Sequence, residues 1–61
     1  MTPKEKALEI TLLYYNLGKH LYVTISFAKQ CALIAVDEIL EHCYQVMKPF
    51  WLEVKQEISK L

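Results

Sequence analysis

Imidazoles, thiols and carboxylates are the side chains most often found binding metals or attacking substrates, and this 61-residue chain holds few of them. His42 follows Glu38 by one helical turn, a spacing at which the two can share a metal. Two ligands do not close a site, so a solvated helix face is the plainer expectation. Cys43 comes directly after His42, and on a helix that step turns the side chains about 100° apart. They form no dyad. Neither Cys31 nor Cys43 stands beside a cation or at a helix N-terminus that would lower its pKa. On one helix they lie roughly 18 Å apart at 1.5 Å per residue, too far to bridge. They read as free, small core thiols of a reducing compartment. Asp37, Glu38 and Glu41 read as an acidic, solvated helix flank. No nucleophile, base and oxyanion donor converge, so we expect no enzyme, no catalytic residues, no metal and no cofactor.

A different distribution points to binding. From Ile10 to Val36 the chain has no acidic residue, only Lys19, His20 and Lys29, while Tyr14, Tyr15, Tyr22 and Phe27 fall in the same stretch. Cations interleaved with aromatic faces suit an anionic, ring-bearing ligand such as a nucleotide. The expected contacts are Tyr14, Tyr15, Lys19, His20, Tyr22 and Lys29. Lys29 falls inside the apolar sector of its helix, near Val36, Tyr22 and Leu40, and the competing expectation is that it snorkels past them to water.

Seven basic residues balance seven acidic ones, which leaves no electrostatic footprint for DNA, RNA or an anionic membrane. The opening Met-Thr-Pro-Lys-Glu-Lys has no signal-peptide character, and Lys29 and Gln30 break the longest apolar run before it reaches bilayer length. The sequence therefore predicts a soluble, cytoplasmic protein without a membrane partner. Residues 1–61 form one small domain, and such a chain buries only about 60% of the surface it exposes when unfolded. Its own core is marginal.

The elements that carry these residues follow from punctuation and period. Thr2, Pro3 and Glu5 make a helix start with a capping box, and Gly18 makes a helix stop, predicting helix 1 over 3–17. Its apolar residues form two stripes, Ile10, Leu13, Tyr14 and Leu17 on one and Leu8, Leu12 and Tyr15 on the other. Leu21 to Phe27 (LYVTISF) has strand composition, but a lone strand in so short a chain has no partner short of another subunit. We read a second helix over 22–47, its start lying anywhere from Lys19 to Ser26. Its packing seam is Ile25, Ala28, Ala32, Ala35, Ile39, Cys43 and Val46, with Phe27, Cys31 and Ile34 as a second apolar stripe on the polar side. Lys48-Pro49 ends or kinks that helix, and a third runs over 49–60, with Trp51 docking it on the core and Glu57 pairing Lys60. The expected fold is all-α: a helical hairpin plus a short third helix folding back on helix 2.

Two apolar stripes on each long helix exceed what one hairpin covers. Leaving Leu8, Leu12, Tyr15, Phe27, Cys31 and Ile34 exposed would give a patch of several hundred Å², at or beyond what soluble monomers carry. A homo-oligomeric helical bundle is expected, with a dimer the default of closed symmetry and a higher ring the next choice.

Three segments add a resemblance. Met1 to Ala7 (MTPKEKA), Lys29 to Ile39 (KQCALIAVDEI) and Trp51 with Val54 to Ile58 (W-x-x-VKQEI) resemble a group of very short helical proteins of phages and prophages of Bacteroides-like bacteria. About half the chain is covered, and Gly18 to Phe27 falls outside the pattern. The resemblance implies a viral accessory protein, in the host cytoplasm, without a catalytic residue set. Such proteins work by binding, either withholding a nucleotide-type immune signal in a pocket between subunits or blocking a host defence protein through an apolar helix face. A structural virion or DNA-packaging role draws on nothing beyond the phage association.

Overall fold

Proline at the start and glycine at the end bracket the first helix, α1, which spans Pro3–Gly18 in the computed structural model; the structure describes residues 1–18 and 24–61. The capping box forms in both directions: Thr2 N–H donates to Glu5 Oε1 at 2.9 Å and Glu5 N–H to Thr2 Oγ1 at 3.1 Å. These bonds satisfy amides that a helix start otherwise leaves open. The Thr2 backbone amide, and then its side chain, hold the Glu5 carboxyl below its ordinary pKa.

Helix α2 spans Ile25–His42. It starts at Thr24, whose Oγ1 accepts from Phe27 N–H at 3.1 Å, so Ile25 to Phe27 of the strand-like segment are helical. Residues 22 and 23, the proposed first turn, lie outside the described residues. The far end differs from expectation, because α2 stops at His42 rather than at Met47. Cys43 and Tyr44 are both extended, at φ −84°, ψ 160° and φ −65°, ψ 150°, and Gln45–Met47 form a 3₁₀ turn. Helix α3 follows over Lys48–Lys60. The cause is Pro49, whose ring in a continuous helix would collide with the Gln45 carbonyl. Here Lys48 N–H takes that carbonyl in the 3₁₀ pattern, and Pro49 falls in the first turn of α3, where no donor is needed. Breaking the helix ahead of the proline leaves a connection long enough to reverse the chain.

Each of the three helices packs against both others. The short dimensions of 19 and 16 Å are about two helix diameters of ~10 Å, as for three helices in a triangle. The third helix folds back on α2 as expected, and it also packs on α1, which makes α3 a full third side. Val54 and Ile58 of α3 are wholly buried with Ala7 of α1 and Ala32 and Val36 of α2, and Ile10, Tyr14, Leu33, Leu40, Phe50 and Trp51 pack around them. Trp51 docks α3 as expected, with its ring edge-to-face against Phe50 at 5.3 Å and 86°. Lys55 Nζ reaches Asp37 Oδ1 at 2.8 Å between α3 and α2, and Lys60 pairs Glu57 at 3.4 Å.

The buried face of α2 is Ala28, Ala32 and Val36, which corrects the seam in part. Ile25 and Val46 are exposed, and Ala35, Ile39 and Cys43 are half-buried at its edge. A second helix beside α2 turned the buried arc toward Val36 and Leu40. On α1 the buried residues are Ala7, Thr11 and Gly18, flanked by Ile10 and Tyr14, whereas Leu13 and Leu17 face out. Small residues bring helix backbones close, and the bulky leucines beside them are displaced to the rim.

Thr11 is a polar residue buried in this core, 1% exposed, and its hydroxyl has no hydrogen-bond partner among the described residues. An unpaired buried hydroxyl costs about 1–3 kcal/mol. Thr11→Val keeps the shape and removes that cost, so we expect its thermal midpoint to rise, and a fall would mean that the hydroxyl is bonded in solution.

Candidate binding surface

The two outer stripes anticipated on α1 and α2 are on the surface of the chain. Leu8, Leu12 and Tyr15 are 47%, 39% and 37% exposed, Phe27 and Ile34 are 53% and 65% exposed, and Cys31 is half-buried between the last two. On α2 this stripe is centred about 130° from the buried Ala28, Ala32 and Val36, counted at 100° per residue, so Phe27 and Ile34 point away from the packed side. Burial of each stripe requires another surface.

The residues expected to hold an anionic ligand are less coherent. Tyr14 packs half-buried against the core, which turns its ring to a structural use. Tyr15 is exposed next to it and belongs to the α1 stripe, while Lys29 is half-buried on α2. Lys19, His20 and Tyr22 lie outside the described residues. The described carboxylates fall outside the part of α1 and α2 that holds Tyr14, Tyr15 and Lys29, as the charge pattern requires: Glu5 and Glu9 open α1, Asp37, Glu38 and Glu41 close α2, and Glu53 and Glu57 are on α3.

Glu38, Glu41 and His42 bring one ligand atom each within 4.8 Å of one another, all exposed. Glu41 thus supplies a third group to the pair read from spacing. His42 Nε2 lies 3.8 Å from Glu38 Oε2, an ion-pair distance on an open surface where such contacts are worth little. Cys31 and Cys43 are both free thiols, and Cys43 Sγ sits 3.9 Å from the Leu40 carbonyl, a weak bond at the end of its helix.

Sequence patterning missed the joint between α2 and α3. Tyr44 and Val46 are 84% and 82% exposed there, because the chain leaves the helix whose seam would have carried Val46 inward. A signal was available in Pro49, which forbids a continuous helix through Gln45. It also missed the Asp37–Lys55 pair, which depends on how α3 docks.

Among the described residues no helix is long and apolar enough to cross a membrane. No family model matches the chain, no curated protein is detectably similar to it, and no solved structure matches it.

Proposed function

We propose that this chain acts by binding rather than by catalysis, as a homo-oligomer joined through the outer faces of α1 and α2. The observation that carries the reading is the exposure of Leu8, Leu12, Tyr15, Phe27 and Ile34 on helices whose buried sides are already packed within the bundle. Covering them with symmetry mates returns about 25 cal/mol per Å² of apolar area before association costs, a gain that a core built on alanines, valines and one isoleucine among the described residues needs.

In its specific form the proposal is a phage accessory protein that withholds a nucleotide-type immune signal. The acid-free run from Ile10 to Val36 supports it, with Lys29 offering its cation from an apolar surround where charge is weakly screened. The purified protein would be incubated with a panel of cyclic oligonucleotides and cyclic ADP-ribose isomers, and ligand retained after filtration identified. Retention by the parent and its loss in a helical Lys29→Glu variant are the expected results. Equal retention by parent and variant would remove the anion site.

The second reading is an adaptor or inhibitor that docks a host protein on the same apolar faces. Exposure of Phe27 and Ile34 favours it as much as it favours self-association. A protein that stays monomeric and retains no ligand would turn the proposal to this reading.

A further inference from the structure

We propose that the self-association surface is a two-fold pairing of α2 with its own copy, antiparallel, with Cys31 on the axis. This deepens the oligomer reading and rests on it. The outer side of α2 carries Thr24, Phe27, Cys31, Ile34 and Glu38 within an arc of about 80°, counted at 100° per residue. Phe27 and Ile34 are the exposed bulk of that arc and Cys31 is half-buried between them. The charges along it are asymmetric. The first turn of α2 has no acidic residue, and the cap described at its N-terminus is the neutral Thr24 hydroxyl, which accepts from Phe27 N–H, so no carboxylate of that turn meets the partial positive charge of the helix start. Glu38 and Glu41 stand exposed at the other end.

A parallel pairing would set Glu38 against its own copy. An antiparallel pairing about Cys31 sets Glu38 level with Thr24 of the second copy, since both are seven residues from the axis. Each carboxylate then meets the positive end of a helix, which is the favourable sense of the helix dipole. Phe27 and Ile34 fall at neighbouring levels across the axis and close over each other. Three apolar side chains do not fill the ~800 Å² per partner of a standard interface, so the pairing needs further apolar surface, which the exposed Leu8, Leu12 and Tyr15 of α1 offer. Helix axes packed ~8–10 Å apart, with Cα atoms ~2.3 Å from each axis, leave the two Cys31 Cα atoms roughly 3.4–5.4 Å apart, and the wider spacings, which the bulk of Phe27 and Ile34 favours, are within disulfide reach.

The test treats the full chain with diamide at micromolar concentration, after light scattering has fixed its mass. Diamide takes two hydrogens from a pair of thiols, becoming the hydrazine as the disulfide forms. In the Cys43→Ser variant, where Cys31 is the remaining thiol, we expect a band of doubled mass that reductant removes. In Cys31→Ser we expect no such band. Glu38→Lys, still helical, should weaken the dimer about tenfold, from two symmetric dipole contacts reversed in sign. A dimer by scattering that fails to link through Cys31, or links equally through Cys43, overturns the arrangement and leaves the oligomer reading standing; a monomer overturns both.

Discussion

Ile58→Ala will leave the chain largely or wholly unfolded at temperatures where the parent is helical. Ile58 is 0% exposed and the largest fully buried side chain among the described residues, placed where α3 closes the bundle against Ala7, Ala32 and Val36. Truncating a buried Ile to Ala costs about 2–5 kcal/mol in lost transfer energy and cavity. A chain of this length has only about 3–9 kcal/mol in total, and one kcal/mol moves the midpoint of so small a domain by about 4–8 °C. The thermal midpoint followed by circular dichroism at 222 nm should therefore fall by roughly 10–30 °C, with Ile58→Val showing a fraction of that. An unchanged midpoint would mean that α3 is not docked as described.

Phe27→Glu and Leu12→Glu should each dissociate the oligomer while leaving the helices in place. Both positions are open to solvent in the single chain, at 53% and 39% exposure, so neither carboxylate strains the bundle. Inside an apolar contact the same carboxylate would be buried without a partner, a cost of several kcal/mol, and closed symmetry would repeat it in every subunit. Affinity should drop by a hundredfold or more, which places both variants at the monomer mass at micromolar concentration. A variant that loses its helical spectrum would show that its position supports the fold, and one that keeps the parent's mass would remove its helix from the interface.

The parts of this fold that local chemistry decides were legible in the sequence. Thr2, Pro3, Glu5 and Gly18 carry their own instructions for α1, and the capping box and helix end fall where those residues put them. The outward stripes were legible as well, because large apolar residues at helical spacing that exceed the needs of one partner have to lie outside. Packing was harder to read. Leu13 and Leu17 look like core by size and period, yet Ala7, Thr11 and Gly18 are buried instead, since three close-packed helices select small residues at the contact and no property of one helix announces where its neighbours stand. The end of α2 at His42 failed for a related reason: Pro49 dictates that the helix must break, while the place of the break is set by where α3 must begin in order to dock. Of the anion-binding set, Tyr14 went to the core because its position on α1 borders the buried face, a fact that depends on the third helix.

Self-association requires that the outer faces of α1 and α2 be covered by further copies of the chain. Multi-angle light scattering across the size-exclusion peak of the parent protein, at micromolar concentration, measures this directly. The predicted result is a mass at least twice the 7.2 kDa of one chain, constant across the peak. A folded, helical species of 7.2 kDa would contradict it.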